Sequence, residues 1–166
     1  AEDQVALRGG RRHVARLAPF PLVAADDAPV RLEKAASGVF DDMALRPMAR
    51  RAPGPGEVEI AVRAAGLNFR DIMNAVALRD DPEPLGGECA GRIVRVGEGV
   101  TRFAVGDAVV ATGEACFASH VITQERHVAP LPRGLGYAQA ATLPFAFMTA
   151  CHALHTLGGL RPGQRV

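Results

Sequence analysis

Gly86-Gly87-Glu88-Cys89-Ala90-Gly91 runs into Arg92-Ile93-Val94-Arg95-Val96 and, past Gly97-Glu98-Gly99, reaches Val105-Gly106-Asp107-Ala108-Val109. The fold turns on this stretch. Residues 91–96 and 108–111 are short runs rich in Val, Ile and Ala. Glycine-bearing turns at 97–99 and 106–107 punctuate them, as expected of strands joined by tight connections. Working outward, residues 31–34, 43–50, 117–122 and 127–131 read the same way, and residues 58–63 alternate with period two. Pro53-Gly54-Pro55-Gly56 supplies the turn before the last of these. Short strands at this spacing predict a closed or strongly curved sheet, mainly β, with few helices.

Two segments break the period. Phe69, Ile72, Met73 and Val76 fall at i, i+3, i+4 and i+7, which predicts a helix with one apolar face, and Asn68 stands where its N-cap belongs. Asp71, at the third helical position, completes a capping-box pattern. A second helix is expected from Pro144 to Leu157, ended by Gly158-Gly159, with Phe147, Cys151 and Leu154 as a core-like face. Ahead of the sheet, residues 4–8 and 11–17 flank Gly9-Gly10, a dipeptide suited to a two-residue hairpin. Residues 18–29, with three prolines and two aspartates, read as a linker. The expected organisation is a ribbon and linker over 1–29 and a β-domain over 30–166.

The chain has 166 residues, 48% of them apolar, and a net charge of +1, enough to bury one sizeable core. Its 19 basic residues include a single lysine, Lys34, and are scattered among 18 acids, which argues against nucleic acid as a partner. No apolar run approaches the ~18 residues of a membrane span, and the start lacks the pattern of a signal peptide, so the chain reads as cytoplasmic. Cys89, Cys116 and Cys151 are odd in number and far apart, so reduced thiols are expected. Cys116 with His120, and Cys151 with His152 and His155, offer too few ligands for a closed metal site. The chain opens without methionine and stops at Arg161-Pro162-Gly163-Gln164-Arg165-Val166, where a new strand looks about to begin. It therefore reads as a piece of a longer polypeptide.

The motif at 86–109 resembles the G-H-E-x2-G-x5-G-x2-V signature of the medium-chain dehydrogenase/reductase superfamily, with Gly87 in place of the histidine. Three further stretches carry the likeness: Ala64-Ala65-Gly66-Leu67-Asn68-Phe69-Arg70-Asp71-Ile72-Met73, Ala140-Ala141-Thr142-Leu143-Pro144 and Thr149-Ala150. Together they resemble the enoyl reductase domain of type I polyketide synthases over roughly residues 57–166, and residues 4–17 resemble the ribbon joining that domain to its neighbour. The resemblance implies a GroES-like, partly open β-barrel whose Rossmann domain is absent from this chain, since no G-x-G-x-x-G or equivalent occurs here.

In the zinc-dependent branch a cysteine ligand matches Asn68 and a histidine ligand matches Gly87; losing two of three protein ligands implies a zinc-free reductase. The reaction implied is reduction by NADPH of an α,β-unsaturated thioester, carried on the phosphopantetheine arm of an acyl carrier protein. Asn68 and Thr149 match residues that face the nicotinamide. Arg79 matches a substrate-pocket position at which many such reductases carry tyrosine, and Glu88 matches an acid beside the lost metal site, expected to make structural hydrogen bonds. Proton donors of the family lie in the missing half, so no catalytic residue is assigned. The other domains of the synthase and the Rossmann half are the implied partners. A free-standing quinone oxidoreductase-like enzyme acting on small enones, and a non-catalytic docking β-domain, are the alternatives.

Overall fold

The computed structural model describes residues 5–14, 28–34, 40, 43–76 and 84–166. Strands β1 (Val5–Arg8) and β2 (Arg11–Val14) form an antiparallel hairpin with Arg8 opposite Arg11. Gly9 and Gly10 both have positive φ, +54° and +71°, as a two-residue hairpin turn requires. β3 (Val30–Glu33) and β4 (Ala44–Pro47) form a second antiparallel pair. The expected linker lies largely outside the described residues, as does Arg79.

The body is a five-stranded antiparallel sheet, built from β5 (Glu57–Ala65), β6 (Glu88–Val96), β7 (Ala108–Thr112), β8 (His120–Gln124) and β9 (Val128–Pro130), in the order β8-β5-β6-β7-β9. The pairing of β5 with β6 shifts twice, between Glu59 and Ile60 and between Val62 and Ala64. Such irregularities bend and coil strands, and here the sheet is a curled half-barrel with β8 and β9 at its edges. The shift at Val62 also changes which side chains face inward. Val58, Ile60 and Val62 point to the core, but beyond the shift it is Ala65 that does so, while Ala64 turns to the opposite face.

Period-two alternation sorts β6 and β7 in the same way. Cys89, Ile93, Val109 and Ala111 join the main core with Cys116, Val121 and Val128. Ala90 and Val110 face the other side and pack against Ala140 and Ala141. That second face carries α2 (Tyr137–Ala140), a single turn that the sequence pattern did not announce, and α3 (Leu143–Cys151); α1 (Phe69–Ala75) precedes β6 in the chain. A π-helical stretch, His152–Leu157, continues α3.

Two expectations about the helices are corrected. On α1 the buried residues are Asp71, Asn74 and Ala75, whereas Phe69 and Ile72 are exposed. The roll of the helix follows Asp71, whose two carboxylate oxygens accept the backbone N–H groups of Asn68 and Gly86, each at 2.9 Å. A buried carboxylate must keep such partners, and Phe69 and Ile72 are turned outward while Met73 and Val76 stay half-buried. On α3 no residue is buried. Phe147 and Cys151 of the supposed core face are exposed and Leu154 is half-buried. α3 begins one residue earlier than Pro144, and Gly159, at φ +60°, follows the π-helical stretch and its cap Gly158.

Candidate functional site

Glu88 occupies the first position of β6 and shares its face with Ala90, so alternation aims its carboxylate at the helices. Only 3% of Glu88 is exposed. One oxygen, Oε1, accepts from the Asn68 side-chain Nδ2 at 2.8 Å; the other, Oε2, accepts from the backbone N–H of Phe145 at 2.8 Å. Phe145 is the third residue of α3, one of the N–H groups a helix leaves without an internal partner. Glu88 therefore caps α3 from another strand, where the positive end of the helix favours a negative charge. The same carboxylate holds the residue at the head of α1. The expected structural hydrogen bonding of Glu88 is present.

Two glycines make room for this arrangement. A Cβ on Gly66 would strike Glu88 Oε1 and come within 2.7 Å of the Ala141 carbonyl oxygen. A Cβ on Gly87 would lie 2.5 Å from Cζ of Phe145 and 3.1 Å from an Arg70 nitrogen. The Phe145 ring thus fills the space a side chain at 87 would need, and the Arg70 guanidinium lies 5.9 Å from the ring centroid. A histidine at this position would have to displace the Phe145 ring. Among the described residues no group of three or more His, Cys, Asp or Glu is placed to hold a metal ion.

Around these residues opens a cleft of about 580 Å³, lined by Gly66, Asn68, Arg70, Glu88, Phe145 and Thr149, among others. Asn68 and Thr149, 81 positions apart in sequence, are brought to one cavity. The α3 contribution comes from Thr142, Phe145, Ala146 and Thr149, at the i, i+3, i+4, i+7 spacing of one helical face. The opposite face of α3, Leu143, Pro144, Phe147 and Met148, lines an apolar groove of about 370 Å³ against β7 and β9. The donors facing the cleft are an amide, a hydroxyl and a guanidinium, a set suited to a ligand with carboxamide, ribose hydroxyl and phosphate groups.

Two further features stand beside the cleft: a buried ion triad, which was not anticipated from the sequence, and the cysteines, which are free thiols as expected. Glu59, on β5, is 1% exposed and receives both Arg50 and Arg95: Arg50 at 2.8 and 2.7 Å, and Arg95 through Nη2 at 2.8 Å and through Nε. Burial pushes its carboxyl up, but the two guanidiniums outweigh that and hold it at about 2. No local signal marked it, since Glu59 falls in the polar phase of the alternating run 58–63. Cys89 and Cys116 are buried free thiols, whereas Cys151 is an exposed one. The contact with Cys89, burial and the carboxylates of Glu88 and Asp71 push the Cys116 thiol far up, so it stays protonated.

Comparison with known proteins places this geometry. The alcohol dehydrogenase GroES-like domain family matches residues 54–153. Spectinabilin polyketide synthase system protein NorB of Streptomyces orinoci is 41% identical over 99% of this chain and 8% of its own length. Mycoketide-CoA synthase of Mycobacterium tuberculosis is 41% identical over 99% of this chain and 4% of its own. Among solved structures, the CurK enoyl reductase superposes with a TM-score of 0.77 at 38% identity, covering 84% of this chain and 46% of that one. The Escherichia coli quinone oxidoreductase complexed with NADPH gives 0.69 at 26% identity, covering 77% and 41%. The chain therefore spans under half of the solved reductases and a small part of the synthases. No helix among its described residues is long and apolar enough to cross a membrane. The curled sheet, the Glu88 junction and the matched family together show that this chain belongs to the alcohol dehydrogenase GroES-like domain family, with its likeness running to the enoyl reductases of polyketide synthases.

Proposed function

We propose that this chain is the substrate-binding half of a zinc-free, NADPH-dependent enoyl reductase domain in a cytoplasmic polyketide synthase. In this reading residues 30–166 form the domain and residues 1–29 the ribbon and linker that join it to its neighbour. The observation that carries the reading is the cleft that gathers Asn68, Arg70 and Thr149 beside a Gly87 position sealed by Phe145. When bound, NADPH would supply the hydride that reduces an α,β-unsaturated acyl thioester. The residues of this chain bind and orient: the Asn68 amide and Thr149 hydroxyl offer hydrogen bonds to the nicotinamide and its ribose, and Arg70 offers positive charge at the rim.

The exposed apolar side of α3, with Phe147 and Met148, is the surface against which the dinucleotide-binding half would pack. The acyl group would arrive on the phosphopantetheine arm of an acyl carrier protein, with Arg79 lining its pocket. Polyketide synthases match at up to 41% identity over 99% of the chain, and among solved structures the CurK enoyl reductase is 38% identical against 26% for the quinone oxidoreductase. That difference favours a synthase domain over a free-standing reductase of small enones.

The test uses the whole polypeptide that carries this chain, given NADPH and a crotonyl thioester on pantetheine or on acyl carrier protein. Stoichiometric conversion of NADPH consumed to butyryl thioester is expected, with a preference for the carrier-bound substrate. Reduction of small quinones and enones without any thioester reduction would select the free-standing reading. Absence of both activities would leave a docking domain.

A further inference from the structure

We infer that Glu88 is a positioning residue that fixes which face of the Asn68 amide is offered to a ligand in the cleft. This rests on the reading that Asn68 contacts NADPH. A carboxylate can only accept hydrogen bonds, so the Asn68 side chain must present its nitrogen to Glu88, as the 2.8 Å Nδ2 to Oε1 contact shows. The amide is planar, so that choice also fixes Oδ1 and the second N–H. An asparagine left to itself would flip between two nearly isosteric orientations, with donor and acceptor exchanged, and would greet a polar ligand correctly only part of the time.

Glu88 is well suited to prevent the flip. It is buried, so water does not compete. Its other oxygen is anchored by the Phe145 N–H at 2.8 Å, so the carboxylate cannot swing away to follow a flipped amide. The backbone at Gly66 and the Ala141 carbonyl close the space on its flank. The same anchor ties the first turn of α3 to the head of α1. Asn68 and Thr149, which both line the cleft, are therefore set relative to each other through one charged group.

Glu88→Gln is nearly isosteric and exposes this role. Facing two donors, a glutamine can accept only one of them at Oε1 and brings an NH₂ against the other. The least costly answer keeps Phe145 N–H on Oε1 and flips Asn68, so that its Oδ1 accepts from the new amide. The experiment is a double-mutant cycle in the complete reductase, reading the NADPH dissociation constant by fluorescence titration and the cofactor-free melting temperature. Glu88→Gln should weaken NADPH binding by about tenfold, the size of one misdirected hydrogen bond. In the Asn68→Ala background the same substitution should weaken it no further, because no amide remains to be flipped. An equal loss in both backgrounds would make Glu88 a purely structural residue and overturn the proposal. If Asn68→Ala alone leaves NADPH binding unchanged, the cofactor reading of Asn68 has failed, and with it the basis of this inference. Should Glu88→Gln not fold, the Asn68 side-chain NH₂ resonances of the wild type decide. One proton shifted downfield and protected from solvent exchange supports the lock, and two protons at ordinary side-chain amide shifts, both exchanging freely with solvent, refute it.

Discussion

Replacing Glu59 by glutamine should reveal how much of the fold rests on one buried charge. The ordinary carboxyl value of 4.5 falls to about 2 in the folded protein, against the opposing effect of burial, because Arg50 and Arg95 both donate to it. At about 1.36 kcal/mol per unit of pKa, that difference corresponds to about 3 kcal/mol favouring the ionised form. Both arginine side chains keep part of their surface in water, 33% and 38%, so screening reduces the usable figure to about 1–2 kcal/mol. Because the folded value is the lower one, the stabilisation is fully present above pH 4.5 and is lost as pH falls towards about 2. Urea unfolding of wild type and Glu59→Gln at a series of pH values is the assay. The gap should be about 1–2 kcal/mol at neutral pH and should close on acidification. Glu57 supplies an internal comparison. Its carboxyl is also held at about 2, by Arg51 first and then by the Gly54 N–H, yet Arg51 is 61% exposed, so Glu57→Gln should cost under about 1 kcal/mol. A Glu59→Gln gap that is absent at pH 7, or unchanged at pH 3, would refute the electrostatic account of the triad.

Elemental analysis of the purified protein should find no stoichiometric zinc, and one tightly held zinc per chain would overturn the zinc-free assignment. Gly91→Ala should be severely destabilising, by several kcal/mol, since its Cβ would collide with the Ala61 carbonyl across the β5–β6 pair. Gly99→Ala, at φ +77° but in open space, should cost only about 1 kcal/mol, and chemical denaturation of the two variants side by side tests the contrast. With a thiol reagent, Cys151 alone should react in the native 166-residue chain and all three cysteines only after unfolding. Rapid labelling of Cys89 or Cys116 would contradict the packed core.

Strand number and order of appearance were legible because glycine turns and period-two runs are local properties. A strand lies at each place anticipated from residue 31 onward, although β5 and β6 extend further, to Ala65 and from Glu88, β4 is only half the expected 43–50, and β8 lies at His120–Gln124 instead of 117–122. What the sequence concealed depends on contacts between distant segments. The roll of α1 is set by Gly86 reaching Asp71, not by the apolar stripe of the helix itself. The helical period of α3 is real, but an apolar stripe does not reveal whether its partner is the same sheet or another body, and here Phe147 is left exposed. α2 is one turn long, stabilised by Gln139 accepting the Gly136 N–H at 3.0 Å, too short for any periodic signal. At the cleft, Asn68 and Thr149 were readable from resemblance, and the structure brings them to one cavity. The Glu88 link to Phe145, 57 residues apart, was beyond any local pattern.

The Arg50–Glu59 pair also bears on where this chain could be joined to other sequences. The family match begins at residue 54, and a junction placed there would look natural. It would remove Arg50, leaving a buried acid with one cation where it had two. It would also strip away β3, which Leu32 ties to Phe117 through a 2.7 Å backbone hydrogen bond and Val30 ties to Ser119 at 2.8 Å. A seam placed upstream of Pro29, whose carbonyl accepts from the Met48 N–H, would keep these ties. Swaps joined at that seam should carry their own electrostatic clamp with them, whereas swaps joined at 54 must borrow an arginine from a foreign linker.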